Sequence, residues 1–133
     1  MPGNWKLASL VIGAVLLLPA ASAAAACDAP VHLTFGEPVE IEGVLKTKTA
    51  QHEAQGPFKV LYVELDQGIC VDPSEDDAGT ETPITKIQVA GDALTSDLPV
   101  GSKVKAKGSL FPAHTMWHIE PILIDATEVQ AVK

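Results

Sequence analysis

The feature that most constrains the fold is a strict alternation of side-chain type over residues 103–110, which read KVKAKGSL. Small or apolar residues occupy every second position, and lysines fill most of the positions between them. Successive side chains of a β-strand point to opposite faces, so this pattern predicts a strand with one buried and one solvated face. No stretch of the chain shows a sustained period of 3.6 residues, which would indicate an amphipathic helix. The chain is therefore predicted to be all-β.

Four further segments carry strand signals, and residues that interrupt strands separate them. The other predicted strands are residues 39–43, 58–65, 84–89 and 122–129. Gly56 and Pro57 lie between the first two, and Pro112 and Pro121 bracket the connection between the fourth and the fifth. Residues 92–98 are predicted to form one short helical turn with Asp92 as its N-cap.

Two glycines inside the predicted strands, Gly43 and Gly108, indicate bulges or sharp coiling. A small closed barrel needs such distortions. Five short strands with a brief insert before the fourth therefore predict a five-stranded Greek-key barrel of the oligonucleotide/oligosaccharide-binding (OB) type. A small two-sheet β-sandwich is the alternative, because periodicity alone does not separate the two folds.

The N-terminal residues differ in character from the rest of the chain. Lys6 precedes an uncharged stretch whose strongly apolar part, residues 10–18, is much shorter than the ~20 residues that span a bilayer. Pro19 and the small residues at 21–23 follow it, as in a signal peptide. We predict a signal peptide over residues 1–23, cleaved between residues 23 and 26. Residues 27–133 would then form a single exported domain, periplasmic or secreted, without stable membrane insertion.

Cys27 and Cys70 are the only cysteines of the chain. Export to an oxidising compartment favours a disulfide between them. Two free thiols are one alternative, and a lipoprotein anchored at Cys27 is another.

The charge of the chain argues against nucleic acid as a partner. The chain has no arginine, and without Lys6 eight lysines face 17 acidic residues, a formal charge of −9. Binding to phosphates needs fixed cations, so an acidic chain is a poor candidate. The lysines at 103, 105 and 107 form the one stripe where an anionic partner could lie. Residues 72–83 carry five carboxylates and are predicted to be a solvated loop, with a calcium site as the alternative.

Residues 111–121, between the fourth and fifth strands, hold the densest cluster of chemically distinctive side chains: His114, Trp117, His118 and Glu120. In an OB barrel this connection is one of two loops that frame the ligand groove. If the segment is extended, His118 and Glu120 share a face at the mouth of the barrel. The cluster is open to three interpretations. These are a structural, hydrogen-bonded role; a zinc-type site of His114, His118 and Glu120, joined by His32 or His52; and a recognition patch with Trp117 as anchor.

Catalytic motifs are not found in the sequence. It contains no Gly-x-Ser-x-Gly, Cys-x-x-Cys, His-Glu-x-x-His or phosphate-binding glycine loop. We therefore expect a protein that is not an enzyme.

The run from residue 108 to residue 123, GSLFPAHTMWHIEPIL, resembles the signature of the bacterial exported "domain of unknown function 4431" family, approximately Gly-x-Leu-Phe-x-Ala-His-Thr-x-x-His-x-x-Pro. Weaker matches lie at residues 39–45, 62–71 and 100–108. The resemblance implies an OB-like barrel, a disulfide between Cys27 and Cys70, and equivalence of the family's histidines to His114 and His118. Ile119 and Trp117 depart from the usual pattern. The family carries no assigned activity.

The leading hypothesis is an exported, non-enzymatic binding domain whose site comprises His114, Trp117, His118 and Glu120. Its partner would be a protein, a glycan or a small ligand, with no cofactor. The alternative is a zinc-binding domain that uses His114, His118 and Glu120. The sequence leaves the ligand and the oligomeric state open.

Overall fold

A computed structural model describes residues 26–95 and 97–133, together with Gly13. The predicted signal peptide, residues 1–23, falls outside these residues apart from Gly13. Within the described part of the chain, no helix is long and apolar enough to cross a membrane.

The described residues form six strands and no helix. In chain order these are β1 His32–Thr34, β2 Pro38–His52, β3 Gly56–Asp72, β4 Ile84–Ala90, β5 Lys103–Pro112 and β6 Ile122–Ala131. The five predicted strands correspond to β2 to β6. The short β1 was not predicted, because three residues are too few to establish a period.

The strands close into a barrel. Strand β2 pairs antiparallel with both β3 and β5, β5 pairs with β6, and β3 pairs with β4. A parallel pairing of β4 with β6 completes the circuit, and β1 adds to β3 outside it, also in parallel. The predicted OB-like Greek-key barrel is confirmed. The β-sandwich alternative is wrong, because one ladder of hydrogen bonds runs continuously around the five strands.

The barrel interior is filled by every second residue of each strand, as the alternation in β5 predicts. Val104 and Ala106 are fully buried, and Leu110 is nearly so. Their partners across the core are apolar residues of the other strands, among them Leu45, Val63, Ile87 and Ile124.

Gly43 and Gly108 both allow a close approach of neighbouring backbone. A Cβ atom at Gly43 would lie 2.1 Å from the carbonyl oxygen of Glu64, and one at Gly108 would lie 2.0 Å from that of Asp125. The register of β5 against β6 also shifts between Lys107 and Gly108. The predicted distortion is therefore present at Gly108, whereas the register through Gly43 is regular. Both positions exclude a larger residue for steric reasons.

Two sequence expectations about local structure are wrong. The segment after β4 is a turn rather than a helical turn capped by Asp92. Its backbone is held to β6 instead, by a 3.1 Å hydrogen bond that the amide of Ala93 donates to the carbonyl of Ala126. Strands β2 and β3 also extend well beyond the predicted segments. The additional residues 47–51 of β2 alternate between exposed and half-buried, but they are largely polar, so the sequence shows no alternation of apolar and polar types there.

The predicted disulfide between Cys27 and Cys70 is present and spans 43 residues of sequence. It ties the start of the described chain to β3, where Cys70 is fully buried. A lipoprotein would need the sulfur atom of Cys27 for its lipid, and in this structure that atom is bonded to Cys70. The disulfide likewise leaves no free thiol at either of the two cysteines.

The lysine stripe of β5 is not a free cationic surface. Lys103 lies 2.8 Å from Asp66, Lys105 lies 3.6 Å from Glu40, and Lys107 lies 3.7 Å from Glu128. Acidic residues on the neighbouring strands lie close to each lysine, which makes this stripe less favourable for an anionic partner.

Replacing Gly43 by alanine should lower the free energy of unfolding by about 3 kcal/mol, because the new methyl group would overlap the backbone of Glu64. Urea denaturation monitored by circular dichroism measures the change. Thr47→Ala, an exposed position on the same strand, is the control and should alter stability by less than about 1 kcal/mol. Equal stability of the Gly43 variant and the wild type would contradict the steric account.

Candidate functional site

The connection between β5 and β6, residues 113–121, folds back over the outer surface of the barrel; we refer to it as the β5–β6 loop. Its ends are joined by a 2.9 Å hydrogen bond from the amide of Ala113 to the carbonyl of Pro121. Within it, the amide of His118 donates to the carbonyl of Thr115 at 3.1 Å. The loop therefore turns, so the expectation that His118 and Glu120 share the face of an extended strand is wrong. Flanking prolines, which lack an N–H donor, help to end the ladder.

Gln88 on β4 holds the loop against the barrel. Its side-chain nitrogen donates to the carbonyl of Trp117 at 2.9 Å, and its side-chain oxygen accepts from the amides of Ile119 at 2.7 Å and Glu120 at 3.1 Å. Gln88 is only 7% exposed and is the one polar residue in the buried set of the described chain. A buried amide is stable only when it is hydrogen-bonded, and here the loop backbone satisfies it.

Trp117 lies on the side of the loop that faces the β2–β3 hairpin. Its indole stacks on the imidazole of His52 with ring centroids 4.3 Å apart, and it meets the ring of Phe58 edge-on at 4.8 Å. His52 is itself fixed, since its Nδ1 accepts from the amides of Ala54 and Gln55, each at 3.1 Å. Despite these contacts Trp117 is 44% exposed. A cavity of about 240 Å³ separates it from Leu94.

The two loop histidines lie on the other side, against Phe111 of β5. The Nδ1 atom of His118 accepts from the amides of His114 at 3.0 Å and Thr115 at 3.3 Å. The two imidazoles pack edge to face with centroids 4.6 Å apart, and each lies within 6 Å of the Phe111 ring. Burial lowers the pKa of His118 below its ordinary value, and the nearby charge of His114 lowers it further.

Glu120 is directed away from the histidines. Its carboxylate forms an ion pair with Lys48 of β2, and the ammonium group of Lys48 also lies over the ring of Tyr62 at 5.1 Å. The structure thus brings His114 and His118 together but does not add Glu120 to them. His32 pairs with Asp72 at 2.7 Å beside the disulfide, while His52 stacks on Trp117. Across the described residues, no three His, Cys, Asp or Glu side chains are grouped closely enough to hold a metal ion.

Sequence reasoning did not identify Gln88, Phe58 or Lys48 as parts of this site. Each lies on a strand far from the loop in sequence, and its contact depends on the closure of the barrel. A polar residue at a strand position flanked by apolar residues, as Gln88 is between Ile87 and Val89, was the one available signal.

Replacing Gln88 by methionine should release the β5–β6 loop, because three loop backbone groups lose their partner while the side-chain volume stays similar. We expect a loss of about 2–4 kcal/mol in the free energy of unfolding. In the chain without the predicted signal peptide, Trp117 is the sole tryptophan, and its fluorescence should also shift to the red. Gln67→Met, the same change at an exposed position of β3, should do neither. An unchanged spectrum for the Gln88 variant would contradict its role.

Acidification should destabilise the protein through His118. Its lowered pKa means that the native state binds fewer protons than the unfolded state, so stability rises with pH. This contribution is complete above the ordinary histidine pKa of about 6.5 and is lost as pH falls through the lower native value. Thermal unfolding between about pH 7.5 and pH 5 measures it. In His118→Asn an amide oxygen can accept the same hydrogen bonds without titrating, so the pH dependence should weaken. An equal dependence in both proteins would contradict the assignment.

Comparison with known proteins adds one finding. Residues 86–130 match the family described as "Domain of unknown function (DUF4431)". No match was found among curated proteins or among solved structures. The matched segment runs from β4 through β5 and the β5–β6 loop into β6, so it contains Gln88, Trp117 and both loop histidines. The match supports the resemblance of the sequence to this family over residues 86–130.

Proposed function

We propose that this chain is an exported, non-enzymatic binding domain that engages its partner through the β5–β6 loop. The partner is a protein, a glycan or a small ligand. Both faces of the loop belong to the proposed site, Trp117 on one side and His114 with His118 on the other.

The observation that carries the proposal is that Trp117 is exposed and yet held in place. It is 44% exposed, but it is stacked on His52 and its carbonyl is hydrogen-bonded to Gln88. Tryptophan is among the residues that contribute most to binding energy at interfaces. A side chain that is already ordered loses less conformational entropy on binding, and such preorganisation favours affinity.

The neighbours of Trp117 in the loop support the same interpretation. Met116 is 59% exposed and Ile119 is 39% exposed, so three large apolar side chains of one short loop are open to solvent. Clustered exposed apolar residues commonly mark interaction sites. Exposing them has a free-energy cost that packing into the barrel would have avoided.

The disulfide between Cys27 and Cys70 is compatible with an oxidising compartment, which supports export as part of the proposal. The zinc-type alternative receives less support, because the carboxylate of Glu120 is engaged by Lys48. Nucleic acid is also disfavoured as a partner, since the lysines of β5 are compensated by acidic neighbours.

Loss of binding in loop variants tests the proposal. The labelled protein would be titrated onto arrays of peptides, of glycans and of small metabolites, and then compared with Trp117→Ala and His114→Ala. We expect saturable binding to one array class, weakened about tenfold or more by at least one of these changes.

The control variant is Val100→Ala, which removes an exposed apolar side chain outside the loop. It should bind as the wild type does. Saturable binding to none of the three arrays, or binding that both loop variants retain in full, would contradict the proposed function.

A further inference from the structure

A groove runs along the outer surface of β5 and β6 on the histidine side of the loop, away from Trp117. It consists of two adjoining depressions of about 650 Å³ and 520 Å³ that share Gly36, Ser109 and Asp125. We call it the histidine groove and define it by Ser109, Phe111, His114, His118 and Asp125.

Two turns and the loop border the groove, which is open to solvent along its length. Ser109 and Asp125 are direct partners across the β5–β6 ladder and lie at its centre. The turn at Gly36, whose amide donates to the carbonyl of Leu110 at 3.1 Å, borders one side. The turn at Gly91 borders the groove as well, and Phe111 with the two histidines lines the end near the loop.

The backbone at Gly91 is shaped around the carboxylate of Asp125. Gly91 has a φ of 97°, and a Cβ atom there would lie 2.4 Å from an oxygen of Asp125. The positive φ and the backbone of Ala126, 2.9 Å from the same Cβ position, disfavour any larger residue here, so the carboxylate of Asp125 keeps its space beside the turn.

The polar groups of the groove are available to a ligand. In the described chain, no side-chain hydrogen bond or ion pair engages the carboxylate of Asp125, the hydroxyl of Ser109 or the imidazole of His114. His118 accepts the hydrogen bonds of the loop backbone at Nδ1 only, so its Nε2 atom is available to a ligand. On the Trp117 side the situation is reversed. There the amide of Gln88 and the carboxylate of Glu120 are already engaged within the protein.

The charges of the groove disfavour an ionic ligand. Lys107 lies 4.0 Å from Glu40 and 3.7 Å from Glu128, so the groove offers an anion no uncompensated cation. Asp125 and Glu40 are the carboxylates that line the groove, and Glu40 is paired with Lys105 and Lys107. They are too few for a divalent cation, which takes six or more oxygen ligands. What remains is a mixed set of hydrogen-bond donors and acceptors, suited to a neutral ligand with several hydroxyl groups.

The shape of the groove favours an elongated ligand. From Lys107 to Phe111 the strand advances by about 13 Å, a span of two or three linked sugar rings. The Phe111 ring adds an apolar surface at one end, as binding sites for small molecules commonly have.

We propose that the histidine groove binds a neutral oligosaccharide, with Asp125, Ser109 and His114 hydrogen-bonded to its hydroxyl groups and Phe111 packed against a sugar ring. This proposal rests on the proposed binding function. It adds the class of ligand and the side of the β5–β6 loop on which the ligand binds.

Isothermal titration with defined neutral sugars tests the proposal. The probes are the tetrasaccharides of α-1,4-glucose, β-1,4-glucose and β-1,4-N-acetylglucosamine, each with its monosaccharide and trisaccharide. We expect at least one series to bind, with affinity rising from the monosaccharide to the trisaccharide. Asp125→Ala and Ser109→Ala should each weaken binding about tenfold, as expected for a lost hydrogen bond to a bound ligand. Two variants are used so that the test still stands if one of them fails to fold. Thermal unfolding shows whether each variant is folded.

Asp28→Ala, an exposed carboxylate outside the groove, is the matched control and should bind as the wild type does. Val100→Ala, the control variant outside the loop, should also retain affinity within about twofold. Binding of none of the sugars overturns the inference, while the peptide and metabolite arrays still test the proposed function. Binding that Trp117→Ala abolishes and Asp125→Ala leaves unchanged overturns the groove and supports the loop.

Discussion

The arrangement of the β5–β6 loop depends on the hydrogen bonds of one side chain, the buried amide of Gln88. Gln88 lies on β4, whose parallel pairing with β6 closes the barrel, and its backbone aligns with Tyr62 on one side and Leu123 on the other. From this central position its side chain binds three backbone groups of the β5–β6 loop. The loop itself contains few backbone hydrogen bonds. The position of the loop segment that carries Trp117 therefore depends on one buried amide.

The two faces of the loop differ in how their polar groups are used. On the Trp117 face, His52, Gln88 and Glu120 are bound to other parts of the protein, so what remains open to solvent is largely apolar. On the groove face, Asp125 and Ser109 lie open beside an aromatic ring. A loop of nine residues thus separates an apolar surface from a hydrogen-bonding one. This contrast, more than the number of histidines, distinguishes the chemistry of the two sides.

The sequence predicted those features of the fold that depend on local pattern. The alternation in β5 identified a strand with one buried face, and Gly108 indicated a distortion that the structure places between β5 and β6. Contacts between segments that are far apart in the chain could not be predicted from the sequence. Gln88 and Asp125 acquire their roles only when β4 and β6 are placed beside the loop and the Gly91 turn. The ion pair of Glu120 with Lys48 likewise depends on the closure of the barrel. The zinc hypothesis could not take this pair into account, because it is not visible in the sequence.

The acidic segment after β3 has a consequence for redox chemistry. Its backbone returns to β3 through a 2.9 Å hydrogen bond from Thr80 to Val71, and Asp72 and Glu81 border the same small cavity as Cys27. Cys70 is fully buried beneath. Small thiol reductants attack a disulfide as thiolate anions. Neighbouring carboxylates repel these anions, and the burial of Cys70 keeps them from its sulfur atom. We therefore expect the acidic side chains of this segment to slow the attack of thiolates on the native disulfide.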